Sequence, residues 1–125
     1  MIKQLDHIAI KVGNITELCR VFEDLGLCCT DIGQYDEVGM RIAFLGNSET
    51  HLELLEVTNK TSPIANDKAG LHHLGIKVKN IEEVYKKMNE SEQFQVLGDI
   101  RQGAHSRIFF FKMTEQEEIL FECVE

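Results

Sequence analysis

The sequence predicts an α+β fold: two tandem βαβββ modules whose strands form a curved eight-stranded sheet with a concave metal site. Three observations predict it. The chain repeats itself, because Leu5-Asp6-His7-Ile8-Ala9-Ile10-Lys11-Val12 with Asn14-Ile15 returns 66 positions later as Leu71-His72-His73-Leu74-Gly75-Ile76-Lys77-Val78 with Asn80-Ile81. The two halves also end alike, in His51-Leu52-Glu53-Leu54-Leu55-Glu56-Val57 and Ile119-Leu120-Phe121-Glu122-Cys123-Val124-Glu125. Hydrophobic period two gives way to helical spacing and then returns at the same point of each half. A module of about 1–60 or 70–125 is too short to bury its own sheet, so the two are expected to pair as a single domain over 1–125.

Each element has a local cause. Over residues 4–12, Ile8, Ile10 and Val12 alternate with His7, Ala9 and Lys11, which is strand parity. Asn14 is a good helix N-cap, Ile15, Leu18, Cys19, Phe22 and Leu25 follow at helical spacing, and Gly26 supplies a stop. This helix is expected to pack over the isoleucine face of the first strand. Strands follow over 28–32, 40–45 and 51–57, separated by loops carrying Gly39, Gly46 and Asn47. Residues 61–70, with Ser62-Pro63 and a polar run, read as the linker between modules. The second half repeats the order: a strand over 72–78, a helix over 81–89 capped by Asn80, and strands over 94–100, 106–112 and 118–124.

Parity then selects the residues that share a face. If Ile8 and Ile10 lie beneath the helix, His7 points away from it, and the same parity sends His73 to the corresponding face of the second module. Ala9 and Gly75 leave room beside each imidazole. Glu53, flanked by Leu52 and Leu54, and Glu122, flanked by Phe121 and Cys123, can point the same way. A lone strand histidine is more often a hydrogen-bonded core residue, and a lone strand glutamate a solvated one. The coincidence of four at repeat-equivalent positions is what carries the reading. Two imidazoles and two carboxylates suit a borderline divalent ion such as Zn, Ni, Co or Mn and leave one or two positions open. Such an ion acts as a Lewis acid toward the oxyanion formed when a proton leaves the carbon next to a carbonyl, and Glu53 and Glu122 are the groups to move that proton. His72 has the opposite parity and is expected to be structural; His51, at a strand start, is expected to be exposed.

Composition excludes other classes. A formal net charge of −8 without a cluster of Lys or Arg argues against a nucleic-acid partner. No apolar run approaches the roughly 20 residues of a membrane span, and the first residues lack a signal-peptide pattern, so a cytosolic chain without a membrane partner is expected. Cys19, Cys28, Cys29 and Cys123 have no C-x-x-C spacing, which favours reduced, partly buried thiols over disulfides or a zinc knuckle.

Several segments resemble the vicinal oxygen chelate (glyoxalase/bleomycin resistance) superfamily, and within it the methylmalonyl-CoA epimerase branch. They are Leu5-Asp6-His7-Ile8-Ala9, Gly39-Met40-Arg41-Ile42-Ala43-Phe44-Leu45, Glu53-Leu54-Leu55-Glu56, Ser62-Pro63-Ile64-Ala65, Gly70-Leu71-His72-His73, Gly103-Ala104-His105 and Leu120-Phe121-Glu122. The Ser-Pro-Ile-Ala, Leu-His-His and Gly-Ala-His segments point to the epimerase branch. The resemblance implies the paired βαβββ fold, a homodimer, and His7, His73 and Glu122 as metal ligands with Glu53 as fourth ligand or catalytic carboxylate. It also implies that His105 lies near an acyl-CoA substrate and that Glu53 and Glu122 exchange its α proton on opposite faces. A glyoxalase I-like lyase would use the same four ligands, and some members of the fold bind a small molecule without metal chemistry. Three departures stand out: Ser106 replaces the glycine after His105, residues 66–71 are shorter than the family's helix there, and Lys112-Met113-Thr114-Glu115 replaces a His-Pro turn. These bear on acyl-CoA binding and leave the metal residues intact.

Overall fold

A computed structural model describes residues 1–46 and 49–125. Its elements run β1 (Ile2–Lys11), α1 (Ile15–Asp24), β2 (Cys29–Tyr35), β3 (Met40–Gly46), β4 (His51–Val57), β5 (Gly70–Val78), α2 (Ile81–Asn89), β6 (Phe94–Gln102), β7 (Arg107–Met113) and β8 (Gln116–Val124). That is βαβββ twice, and the strand order in the eight-stranded sheet is β2-β3-β4-β1-β5-β8-β7-β6. The predicted α+β class is therefore observed. Several strands overrun their expected ends, as at Ile2, Tyr35 and Gln102, because ladder hydrogen bonds continue where the side chains no longer alternate. A 3-10 turn over Asp36–Val38 had no sequence signal. The loop position expected at Asn47 lies outside the described residues. Among the described residues, no helix is long and apolar enough to cross a membrane.

The chain comprises two compact units, His7–His72 and a second made of Met1–Asp6 with His73–Glu125. In the unit His7–His72, β1 pairs parallel with β4, and β4-β3-β2 are antiparallel. Helix α1 starts where Asn14 Oδ1 accepts from Glu17 N at 3.1 Å, and Glu56 Oε2 accepts from Ile15 N at 2.7 Å. Two anionic or polar oxygens thus satisfy amides that the helix itself cannot. Its buried face, Ile15 and Cys19, packs on Ala43, Leu45 and Leu54 with Ile10 and Val12. Ala9 instead joins Ile42 and Leu55 in a separate cluster, with Tyr35, Phe44 and Ile64 against it. Strand parity is thereby resolved as expected. Leu25 departs from its expected burial: the helix stops at Asp24, Leu25 is the C-cap, and its side chain is 77% exposed. Residues 61–69, which precede β5, form a series of turns. The ammonium of Lys11 donates to the carbonyls of Ile64, Ala65 and Asp67 at 2.9, 3.1 and 2.6 Å, a clasp that fixes the chain before β5 begins.

In the other unit, β5 pairs parallel with β8, and β8-β7-β6 are antiparallel. Asn80 caps α2 from a left-handed backbone (φ 58°), its side chain accepting from Glu83 N at 3.3 Å. The helix buries Ile81, Val84 and Met88 against Val78, Phe109, Phe111 and Cys123. Phe111 also stacks on Phe121, with ring centroids 5.2 Å apart. All four cysteines are unbridged; Cys19 and Cys123 are buried, Cys29 is half-buried, and Cys28, just outside β2, is exposed.

Candidate metal centre

Each unit presents a histidine and a glutamate from two parallel neighbouring strands. In the first, β1 carries His7 and β4 carries Glu53, with Ala9 in register beside Glu53. Both charged-type side chains are buried, at 2% and 7% exposure, and His7 Nε2 lies 3.9 Å from Glu53 Oε2. The alternate residues Leu52 and Leu54 pack toward α1, and this is what turns Glu53 to the other face. Phe44 stands opposite Glu53 across the β3–β4 ladder. Tyr35 packs in the Ala9 cluster, and burial first, then Asp31 and Glu53, holds its phenol pKa above the usual value.

The second unit reproduces this. β5 carries His73 and β8 carries Glu122, with Gly75 in register beside Glu122. Their exposures are 4% and 7%, and His73 Nε2 lies 3.7 Å from Glu122 Oε2. Phe110 stands opposite Glu122 and meets the His73 ring edge to face, centroids 5.3 Å apart. Next to Glu122, Cys123 turns into the core, where burial and then the neighbouring carboxylate push its thiol up to about 12.

The two N···O distances are compatible with a shared ion. At 3.9 and 3.7 Å they exceed a hydrogen bond's reach. They remain below the roughly 4.2 Å that separates two donors placed across one ion at about 2.1 Å each. Buried carboxylates are stabilised by a proton, a paired cation or a metal, and imidazole nitrogen beside carboxylate oxygen is a donor set for a borderline divalent ion. The residues present therefore fit such an ion. His7 is brought to Glu53 and His73 to Glu122, as the repeat predicts.

The remaining histidines divide. His72 pairs with Asp67 Oδ2 at 2.8 Å and is structural, as parity indicated. His51 is half-buried, not exposed, because its ring lies edge-on to Phe44 with centroids 6.2 Å apart. His105 is exposed in the β6–β7 turn, which closes through Gly103 N donating to Ser106 O at 2.7 Å. A side chain on Gly103 would crowd Ile108, meeting its Cγ2 at 3.0 Å, so Ile108 would have to give by a few tenths of an ångström.

The repeat runs deeper than the histidines and glutamates. Arg41-Ile42-Ala43-Phe44 recurs as Arg107-Ile108-Phe109-Phe110 at the same 66-residue offset, and supplies the aromatic opposite each glutamate. Arg41 Nη1 pairs with Glu56 Oε1 at 3.6 Å. Arg107 pairs with Glu125, three residues beyond Glu122 as Glu56 is beyond Glu53, through Nε–Oε2 and Nη2–Oε1 bonds of 2.7 and 2.6 Å. These residues carry no metal-type side chain, so donor type and strand parity do not single them out, although their repeat is plain in the sequence.

Comparison with known proteins agrees with the fold. Residues 6–111 match the family described as Glyoxalase/Bleomycin resistance protein/Dioxygenase superfamily. The chain is 26% identical over 114 residues to the mitochondrial methylmalonyl-CoA epimerase of Homo sapiens, covering 86% of this chain. It spans 65% of that relative's length. Among solved structures, a hypothetical protein from Bacillus halodurans superposes with a TM-score of 0.85 at 30% identity, covering 98% of this chain and 93% of the other. Methylmalonyl-CoA epimerase from Mycobacterium tuberculosis superposes with a TM-score of 0.87 at 23% identity, covering 99% and 88%.

Proposed function

Because this chain belongs to the Glyoxalase/Bleomycin resistance protein/Dioxygenase superfamily, we propose that it is a metal-dependent epimerase moving the α proton of an acyl-CoA such as methylmalonyl-CoA. The observation that carries the reading is the buried histidine beside a buried glutamate, held by equivalent strands in each unit. The likeness to methylmalonyl-CoA epimerases supports the substrate class. We assign His7, His73 and Glu122 to the ion, with Glu53 as fourth ligand or catalytic carboxylate.

When bound, a divalent ion supplies Lewis acidity to the substrate's carbonyl oxygen. The protein's own groups do the proton transfer. One of Glu53 and Glu122 enters as carboxylate and takes the α proton onto an oxygen, while the C–H electron pair moves into the thioester. The other enters as carboxylic acid and gives its proton to the opposite face of the carbon. One proton leaves and one arrives, so composition is unchanged and configuration inverts. Burial of both glutamates excludes water that would compete for the proton and strengthens the field at the carbon. His105 is assigned to the substrate side, and a cytosolic homodimer completes the reading.

Incubation of methylmalonyl-CoA in heavy water, with Co(II)-loaded and chelator-treated protein, tests the proposal. Deuterium at the α carbon only with the loaded protein is expected. Absence of exchange, with turnover of the hemithioacetal of methylglyoxal and glutathione instead, would replace the epimerase by a glyoxalase I-like lyase.

A further inference from the structure

The unit that carries His73 and Glu122 also holds an arginine one ring away from them. The Arg101 guanidinium carbon lies 5.0 Å above the centroid of Phe110. That same ring stands opposite Glu122 and edge-on to His73. The placement is built into β6. The β6–β7 register shifts between Leu97 and Arg101, and Gly98 at φ 75° supports the irregularity. Pairing resumes with Arg101 opposite Ile108, and Arg101 Nη1 donates to Asp99 O at 3.4 Å. The bulge re-aims one cationic side chain across the aromatic ring beside the histidine–glutamate pair.

Arg101 differs from the neighbouring arginines in its partners. Arg41 pairs with Glu56, and Arg107 with Glu82 and Glu125. Among the described residues Arg101 has no carboxylate partner, and the side chain of nearby Asp99 accepts from Tyr85 Oη at 3.2 Å. In a chain with a formal net charge of −8, a guanidinium that is held on an aromatic face and exposed is a preorganised receptor for an anion. Its remaining N–H groups form a planar fork that matches carboxylate or phosphate.

We propose that Arg101 is a substrate-binding residue that takes an anionic group of the substrate, the acyl carboxylate or a carrier phosphate, while the reacting carbon lies at His73 and Glu122. This rests on the acyl-CoA reading above, and its test separates the two. The Nε–H resonance of Arg101, assigned by its loss in Arg101→Lys, is followed by NMR during titration with malonate, with adenosine 3′,5′-bisphosphate and with methylmalonyl-CoA. A shift with malonate identifies the carboxylate as the source, and a shift with the bisphosphate identifies the carrier. Arg101→Gln is expected to weaken the effective probe by roughly tenfold or more, as loss of a charged hydrogen bond does, with Arg101→Lys between. An Arg101 signal unmoved by all three probes, or unchanged probe affinity in Arg101→Gln, overturns the proposal even if methylmalonyl-CoA is turned over. A malonate or bisphosphate shift without any α-proton exchange would support the anion site and sink only the epimerase reading.

Discussion

Phe110 meets the His73 imidazole edge to face, with centroids 5.3 Å apart and ring planes at 90°. The contact fixes the plane of a ring that can point its Nε2 toward Glu122, 3.7 Å away. Residues that orient a metal-binding imidazole without touching the ion commonly alter affinity 10- to 100-fold. Phe110→Leu keeps the apolar volume but loses the flat edge. We expect about tenfold weaker Co(II) binding by calorimetric titration, with the fold retained by circular dichroism. Unchanged affinity would show that the ring orients nothing.

Arg107 holds Glu82 and Glu125, and its hydrogen bonds are the main reason that both carboxylates titrate below their usual range. A folded-state pKa below the unfolded one gives stability that is present above the ordinary carboxylate range and lost as pH falls through the lowered values. The urea midpoint of the wild-type protein should therefore fall more steeply below pH 4.5 than that of Arg107→Gln. Parallel pH profiles for the two proteins would contradict this. All three groups are exposed to solvent, so the difference should shrink in high salt.

The thiols should separate by reactivity. Burial raises the Cys19 thiol to about 11, with a hydrogen bond to Cys29 adding to it, and burial raises Cys123 to about 12. Cys28 is exposed. Iodoacetamide at pH 8 should alkylate Cys28 in the native protein and leave Cys19 and Cys123 unmodified, as read by peptide mass mapping. Equal labelling of all three would refute the burial. Because the two raised thiols favour the folded state only while protonated, stability should decline as pH rises from the ordinary thiol value of 9.0 through about 11 and 12.

Much of this was legible in the sequence because it is local or periodic. Strand alternation separates Ile10 and Val12 from His7 and Ala9 without knowledge of any partner, and the duplication pairs Glu53 with Glu122 by position alone. What escaped depends on distant partners. Nothing near Lys11 signals that its ammonium closes on Ile64, Ala65 and Asp67. Nor does helical spacing show that α1 stops before Leu25, whose position continues the apolar stripe while its side chain stands in solvent. The β6 bulge that carries Arg101 over Phe110 is likewise invisible, since register is set by two strands together. The Arg-Ile-x-Phe repeat is a different case: it is plain at the 66-residue offset, but none of its side chains is a metal-binding type.

The glutamates stand in equivalent strands, yet the proposed chemistry makes them unequal, since each serves one face of the substrate carbon. The direct measurement is stereo-resolved: each enantiomer of methylmalonyl-CoA is incubated in heavy water with the metal-loaded wild-type protein and with Glu53→Gln, metal content being measured alongside. The account predicts exchange from both enantiomers by the wild type and a selective loss, by about 100-fold or more, from one enantiomer in Glu53→Gln. Equal loss from both enantiomers with metal content unchanged would contradict the two-base assignment, and no exchange by the metal-loaded wild type would contradict the epimerase reading itself.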